Sequence, residues 1–180
     1  MIDVNDFFYF LKKNKIEFFS GVPDSILKKT NYYLEKKNVQ NIVAANEGVA
    51  AAICMGYYLS TQKTPCLYLQ NSGLGNAINP LASISHKKVY SIPMLILVGW
   101  RGAPGEKDEP QHMVKGEITQ KLLKNLNINF CNLKEKSDFK KLKSLIKYSR
   151  LNKKPVACLI KKNTFFDRFK KRKSKTLKKK

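Results

Sequence analysis

The sequence has few acids, little histidine and one tryptophan: across 180 residues, 13 Asp and Glu stand against 35 Lys and Arg, with two His and a single Trp. No apolar run approaches the roughly 18 residues that a membrane-spanning helix needs, which excludes a transmembrane segment. Cysteines are scarce and scattered. Cys54, Cys66, Cys131 and Cys158 form no C-x-x-C pair and have no histidine at zinc-ligand spacing, so neither a disulfide framework nor a metal site is expected. Three of them sit inside apolar runs, where a thiol behaves as a small hydrophobe. The glycines complete neither a G-x-G-x-x-G fingerprint, since the third residue after Gly75 is Ile78, nor a P-loop, which argues against a dinucleotide or ATP site. The amino-terminal stretch MIDVNDFFYFLKKNK has acids at Asp3 and Asp6 and an amphipathic pattern, unlike the basic start of a signal peptide, so a cytoplasmic location is expected.

Apolar residues are plentiful. A hydrophobic fraction of 43%, with 11% aromatics, is enough to build the core of one domain and too much for a disordered chain. The formal net charge of +22 is unevenly placed, with eleven of the 35 basic residues and one acid in the last 20 positions. Such a run repels itself, and the expected organisation is a folded domain over 1–163 followed by an unstructured Lys/Arg-rich arm over 164–180. The basic remainder suits an anionic ligand or an acidic partner, and a Lys-rich coding bias accounts for it equally well.

Six short runs read as strands, at 16–22, 41–45, 65–70, 93–100, 128–133 and 155–160. The third, fourth and sixth are continuously apolar, as strands buried on both faces of a parallel sheet must be. Helical stretches alternate with them at 3–14, 24–37, 47–61, 77–89, 111–127 and 138–152. This alternation predicts a three-layer α/β/α sandwich on a mainly parallel six-stranded sheet. Ligands of such sheets bind where loops leave the carboxyl ends of the strands, and the unusual residues fall there.

Glu47 follows Asn46 and opens a helix of small residues, Gly48-Val49-Ala50-Ala51-Ala52. Two readings of it stand: a first-turn acid favoured by the helix terminus, or a carboxylate used for proton chemistry where small neighbours admit a flat ligand. QNSGLGN, from Gln70 to Asn76, is either a tight turn with a helix cap or the lining of a polar pocket. The loop from Trp100 to His112 carries Arg101, able to fork onto an anionic group, and His112, able to move a proton near neutrality; a surface ion pair and a helix-end histidine are the plain alternatives.

Four segments, Ser20-Gly21-Val22-Pro23-Asp24-Ser25, Ala45-Asn46-Glu47-Gly48, Gln70 to Pro80, and Gly99 to His112, occur in an order that resembles the pyrimidine-binding domain of thiamine-diphosphate-dependent decarboxylases of the phosphonopyruvate and sulfopyruvate type. The resemblance spans roughly Phe18 to Thr119 and implies the thiamine-diphosphate-binding fold. It implies that Glu47 hydrogen-bonds the N1′ of the cofactor's aminopyrimidine and so activates it. It further implies catalytic roles for Asp24, Ser25 and His112, cofactor contacts from Asn71, Ser72 and Gly73, and substrate contacts from Asn71, Ser72, Arg101 and Lys107.

The activity so implied is decarboxylation of 3-phosphonopyruvate to phosphonoacetaldehyde, with sulfopyruvate to sulfoacetaldehyde as the alternative. Enzymes of this class hold the cofactor's diphosphate and Mg²⁺ through a second domain bearing Gly-Asp-Gly, a tripeptide that these 180 residues lack. The resemblance therefore implies an α-type subunit in a hetero-oligomer, with a separate β-type chain binding Mg²⁺ and no metal ligand of its own. An inactive assembly subunit and a basic nucleic-acid-binding protein are the competing readings. Retention of Glu47 speaks against the first, and the want of any nucleic-acid module in the body against the second.

Overall fold

The structure, a computed structural model, describes residues 1–168. Six parallel strands form the central sheet: β2 (Phe18–Gly21), β3 (Gln40–Val43), β4 (Cys66–Gln70), β5 (Met94–Gly99), β6 (Asn129–Leu133) and β7 (Pro155–Ile160), in the spatial order β3-β2-β4-β5-β7-β6. The three continuously apolar runs are the three adjacent central strands β4, β5 and β7. Every residue of β5 and β7 is buried. Leu97 and Val98 point to opposite faces of β5 and are both buried, and each contributes about 1.5–3 kcal/mol on leaving water. At one edge, β3 leaves Ile42 and Val43 exposed by 45% and 57%.

Helices cover both faces, completing the three expected layers. Helices α1 (Val4–Lys13), α2 (Lys28–Lys36) and α6 (Phe139–Asn152) pack on one face, and α3 (Glu47–Thr61), α4 (Leu74–Ala82) and α5 (Pro110–Asn125) on the other. Local chemistry sets their starts. Asp3 caps α1 by accepting from the Asn5 amide at 2.8 Å, Pro110 opens α5 where a missing N–H costs nothing, and Glu135 with Asp138 forms a capping box ahead of α6.

Three expectations need correction. The helix expected from residue 24 starts at Lys28, because the Asp24 carboxylate ties the Ile26 and Leu27 amides into a turn. The helix expected over 77–89 is α4, which begins earlier, directly after a 3₁₀ turn at Asn71–Gly73, and ends at Ala82. The arm expected from residue 164 is ordered at its start: β1 (Ile2–Asp3) pairs in parallel with β8 (Phe165–Phe166), Phe165 packs on Phe7 at 4.9 Å between rings, and Arg168 bonds Asp3. The aromatic pair and the buried acid hold this segment against the body. The rest of the expected arm, 169–180, lies outside the described residues.

The strand order reverses between β2 and β4, since β2 leads out to β3 and the chain returns across it to β4. That reversal opens a crevice at the carboxyl ends of β2 and β4, where ligands of open α/β sheets bind. Among the described residues no helix is long and apolar enough to cross a membrane.

Candidate active site

Glu47 is the first residue of α3, placed there by Asn46, whose side-chain oxygen accepts from the Val49 amide at 2.9 Å. Its carboxylate lies directly over Gly73, at the end of the turn that follows β4, so closely that any Cβ at position 73 would collide with it. Asn76, in the first turn of α4, donates from Nδ2 to Glu47 Oε2 at 2.7 Å. Gly48 allows the same close approach of backbones, since a Cβ there would stand 2.8 Å from the Asn76 carbonyl oxygen. The small residues at this helix start thus let α3 and α4 meet around one carboxylate.

Asp24 forms the second centre. Its Oδ1 accepts from the Ile26 amide at 2.5 Å and the Leu27 amide at 3.2 Å, while its Oδ2 is buried without a hydrogen-bond partner. Gly99, the last residue of β5, makes room for it: a Cβ there would stand 2.7 Å from Oδ2. Burial raises the Asp24 pKa above the ordinary carboxylate range, against the lowering effects of the two amides and of Arg101. Ser25 is exposed on the same turn.

The loop between β5 and α5 is strapped down at several points. Trp100 donates from its indole to the Gly116 carbonyl at 2.9 Å, and Lys161 Nζ bonds the Pro104 carbonyl at 3.0 Å, 5.5 Å from the Trp100 ring centroid. Arg101 Nε reaches both oxygens of Asp108, at 3.1 and 3.3 Å. The Asp108 pKa is lowered by that bond first, then by the Glu109 amide, with smaller contributions from the charges of Arg101 and His112. His112 is half-buried in the first turn of α5, and Lys107 is exposed.

Two of the expected contact residues already have partners within the chain. Asn71, expected to touch cofactor and substrate, is buried and faces inward: Nδ2 donates to the Arg101 carbonyl and to Thr119 Oγ1, both at 2.9 Å, and Oδ1 accepts from the Arg101 amide at 3.2 Å. It tethers the β4 and β5 loops to each other. Arg101, expected to face an anion, is paired with Asp108 of its own loop. Ser72 is half-buried and accepts from Gln70 Nε2 at 2.7 Å.

The structure therefore joins Glu47, Gly73 and Asn76 in one cluster, and Asp24, Gly99, Arg101, Asp108 and His112 in another, with Asn71 linking the two loops. Asn76, Gly99 and Asp108 were not singled out as site residues from the sequence, although all three lie inside the quoted segments. The cavity of about 340 Å³ lined by Phe8, Tyr33 and Tyr57 lies at the opposite, amino-terminal end of the strands and holds none of these residues. Among the described residues, no three His, Cys, Asp or Glu side chains gather in a way that could hold a metal ion.

The family described as thiamine pyrophosphate enzyme, N-terminal TPP binding domain, matches residues 4–123. The chain belongs to this family. It is 43% identical over 105 residues to a phosphonopyruvate decarboxylase of Streptomyces viridochromogenes, covering 58% of this chain and 26% of that protein. It is 37% identical over 147 residues to the sulfopyruvate decarboxylase subunit alpha of Methanococcus maripaludis, covering 81% of this chain and 86% of that subunit. The chain thus spans about a quarter of the first relative and most of the second. A thiamine diphosphate-dependent 4-hydroxybenzoylformate decarboxylase of Rhodococcus jostii RHA1 superposes with a TM-score of 0.70 over 92% of this chain and 31% of its own, at 18% identity, which establishes the shared fold.

Proposed function

We propose that this chain is the pyrimidine-binding, α-type subunit of a thiamine-diphosphate-dependent decarboxylase that converts 3-phosphonopyruvate to phosphonoacetaldehyde and CO₂. The observation that carries the reading is the Glu47 carboxylate at the start of α3, seated over Gly73 with one oxygen held by Asn76. Bound thiamine diphosphate supplies the electron sink for loss of CO₂. Glu47 is suited to accept a hydrogen bond from the aminopyrimidine ring: Asn76 fixes Oε2, which leaves Oε1 for that contact. Asp24 is suited to hold a proton on Oδ2, because burial favours its neutral form and no internal donor competes for that oxygen. Arg101 and Lys107 supply positive charge for the substrate's phosphonate, Arg101 by exchanging its Asp108 partner for the ligand. Ser25 and His112, on the same edge of the sheet, are the further polar groups facing the reaction.

Mg²⁺ and the diphosphate belong, on this reading, to a separate β-type chain bearing the Gly-Asp-Gly motif absent from these 180 residues. Support comes from the α-subunit relative, which this chain matches along most of its length, and from Val49 and Ile78, apolar side chains exposed on α3 and α4 beside the Glu47 cluster. Four free cysteines suit a reducing, cytoplasmic compartment.

That same relative favours a second substrate, sulfopyruvate, since it shares this chain's extent, whereas the phosphonopyruvate enzyme shares the higher identity. Both substrates are compact anionic 2-oxo acids of the kind a basic body attracts, so the charge of the chain does not select between them. The test is aldehyde release by this chain with its Gly-Asp-Gly partner, given phosphonopyruvate, sulfopyruvate and pyruvate in turn. Turnover of phosphonopyruvate with the highest kcat/KM supports the proposal; preference for sulfopyruvate installs the second reading, and activity of this chain without a partner overturns the two-chain site.

A further inference from the structure

Cys131 of β6 and Cys158 of β7 are direct partners in the parallel register of those strands. Register partners on neighbouring strands send their side chains to the same face, with strand spacing of about 4.8 Å, inside the roughly 4.4–6.8 Å between Cα atoms that a disulfide bridges. Both thiols lie on the face covered by α6, far along the sheet from Glu47. Their surroundings differ. Cys158 is fully buried, while Cys131 is half-buried and lines an open cavity of about 610 Å³ with Lys140, Lys141, Ser144 and Tyr148. A small oxidant therefore reaches Cys131 and not Cys158.

The chemistry of the two sulfurs is divided in the same sense. The Cys158 thiol lowers the Cys131 pKa against burial and the charge of Asp138, with a smaller lowering from Lys141; interaction with Cys131 and then burial raise that of Cys158. Cys131 is thus the more accessible and the more acidic of two register-paired thiols, and Cys158 the buried one that keeps its proton, the arrangement of an attacking and a resolving cysteine. Cys54 and Cys66 are buried, belong to opposite faces of the sheet, and have thiols pushed up by burial, so they lack both access and thiolate character.

We propose that Cys131 and Cys158 are a peroxide-reactive dithiol that closes to a disulfide between β6 and β7. The Cys131 thiolate attacks one oxygen of hydrogen peroxide; the O–O bond breaks, a sulfenic acid forms, and the departing hydroxide takes up the proton that the thiol had released, giving water. The Cys158 sulfur then attacks the Cys131 sulfur as its own proton passes to the leaving hydroxide, so that the S–S bond forms and a second water departs. The two sulfurs give up two electrons and one peroxide becomes two waters. The bond ties the edge strand β6 directly to its neighbour β7, closing the chain segment that contains α6, and a dithiol reductant reopens it.

The test treats the full chain with hydrogen peroxide and then counts thiols in denaturant. The expected result is a fall from four thiols to two, a mass lower by two hydrogens, a non-reduced digest joining the Cys131 and Cys158 peptides, and reversal by dithiothreitol. In C158S a sulfenic acid at Cys131 is trapped by dimedone, and in C131S all three remaining thiols survive. Four surviving thiols in the wild type, a link involving Cys54 or Cys66, or loss of two thiols in C131S overturns the proposal. The wild-type peptide map decides the matter even where a variant fails to fold.

Discussion

Glu47 lies over Gly73 so closely that a single methyl group at position 73 would occupy the place of its carboxylate. A Gly73→Ala substitution therefore tests whether that carboxylate's position matters. Gly73 has ordinary right-handed backbone angles, φ −76° and ψ −10°, so alanine causes no backbone strain there, and the half-buried Glu47 side chain moves aside. The expected outcome is an unchanged melting temperature with an activity loss of about 100-fold in the assembled enzyme, the scale set by misplacing a reacting group by about 1 Å. Melting curves and kcat measured together check it.

Asn71 is predicted to behave in the opposite way. Its carboxamide satisfies the Arg101 amide and carbonyl and Thr119 from a buried position, so Asn71→Ala leaves buried polar groups without partners, at about 1–3 kcal/mol for each. The melting temperature should fall by several degrees, and any activity lost should return in part as the temperature is lowered.

Much of this was legible in the sequence, and the exceptions have physical causes. The runs CLYLQ, MLILVG and PVACLI lack alternation because both faces of β4, β5 and β7 are covered, and that signal located the three central strands without any knowledge of their order. The pairing of β1 with β8 gives no such signal, since two residues at each end cannot show a period and their partners are distant. Glu47 was readable from the small residues that follow it. The inward turn of Asn71 was not, because its partners lie 30 and 48 residues further on and only the fold brings them near. Gly99 likewise acquires meaning only once Asp24, from a loop after a different strand, is packed against it.

For Asp24 the pH dependence follows from its raised pKa. Between the ordinary carboxylate value and the raised one, the folded chain binds more protons than the unfolded chain, so this part of the stability is complete at low pH and is lost as pH rises through the folded value. Asp24→Asn removes that ionisation and retains an oxygen for the Ile26 and Leu27 amides. The variant should be as stable as the wild type or more so at pH 7, with a flatter profile from pH 4 to 7 and with activity lost. Melting temperatures across that range give the comparison.

The ion pair between Arg101 and Asp108 competes with an anionic substrate for the guanidinium. Arg101→Ala should raise KM about ten- to a hundredfold, as expected for a lost hydrogen bond to a charged group. Asp108→Asn keeps an acceptor for the loop while removing the competing charge, so it should lower KM. A KM that does not move in either variant would place Arg101 outside the substrate's reach.

The central claim rests on Glu47, and the most direct measurement compares wild type with Glu47→Gln in the assembled two-chain enzyme. Glutamine keeps the size of the side chain and can still bond Asn76, so the complex should elute unchanged on size exclusion, while aldehyde release from the preferred 2-oxo acid should drop by about 100-fold or more. A Glu47→Gln enzyme that assembles and retains wild-type turnover would contradict the account.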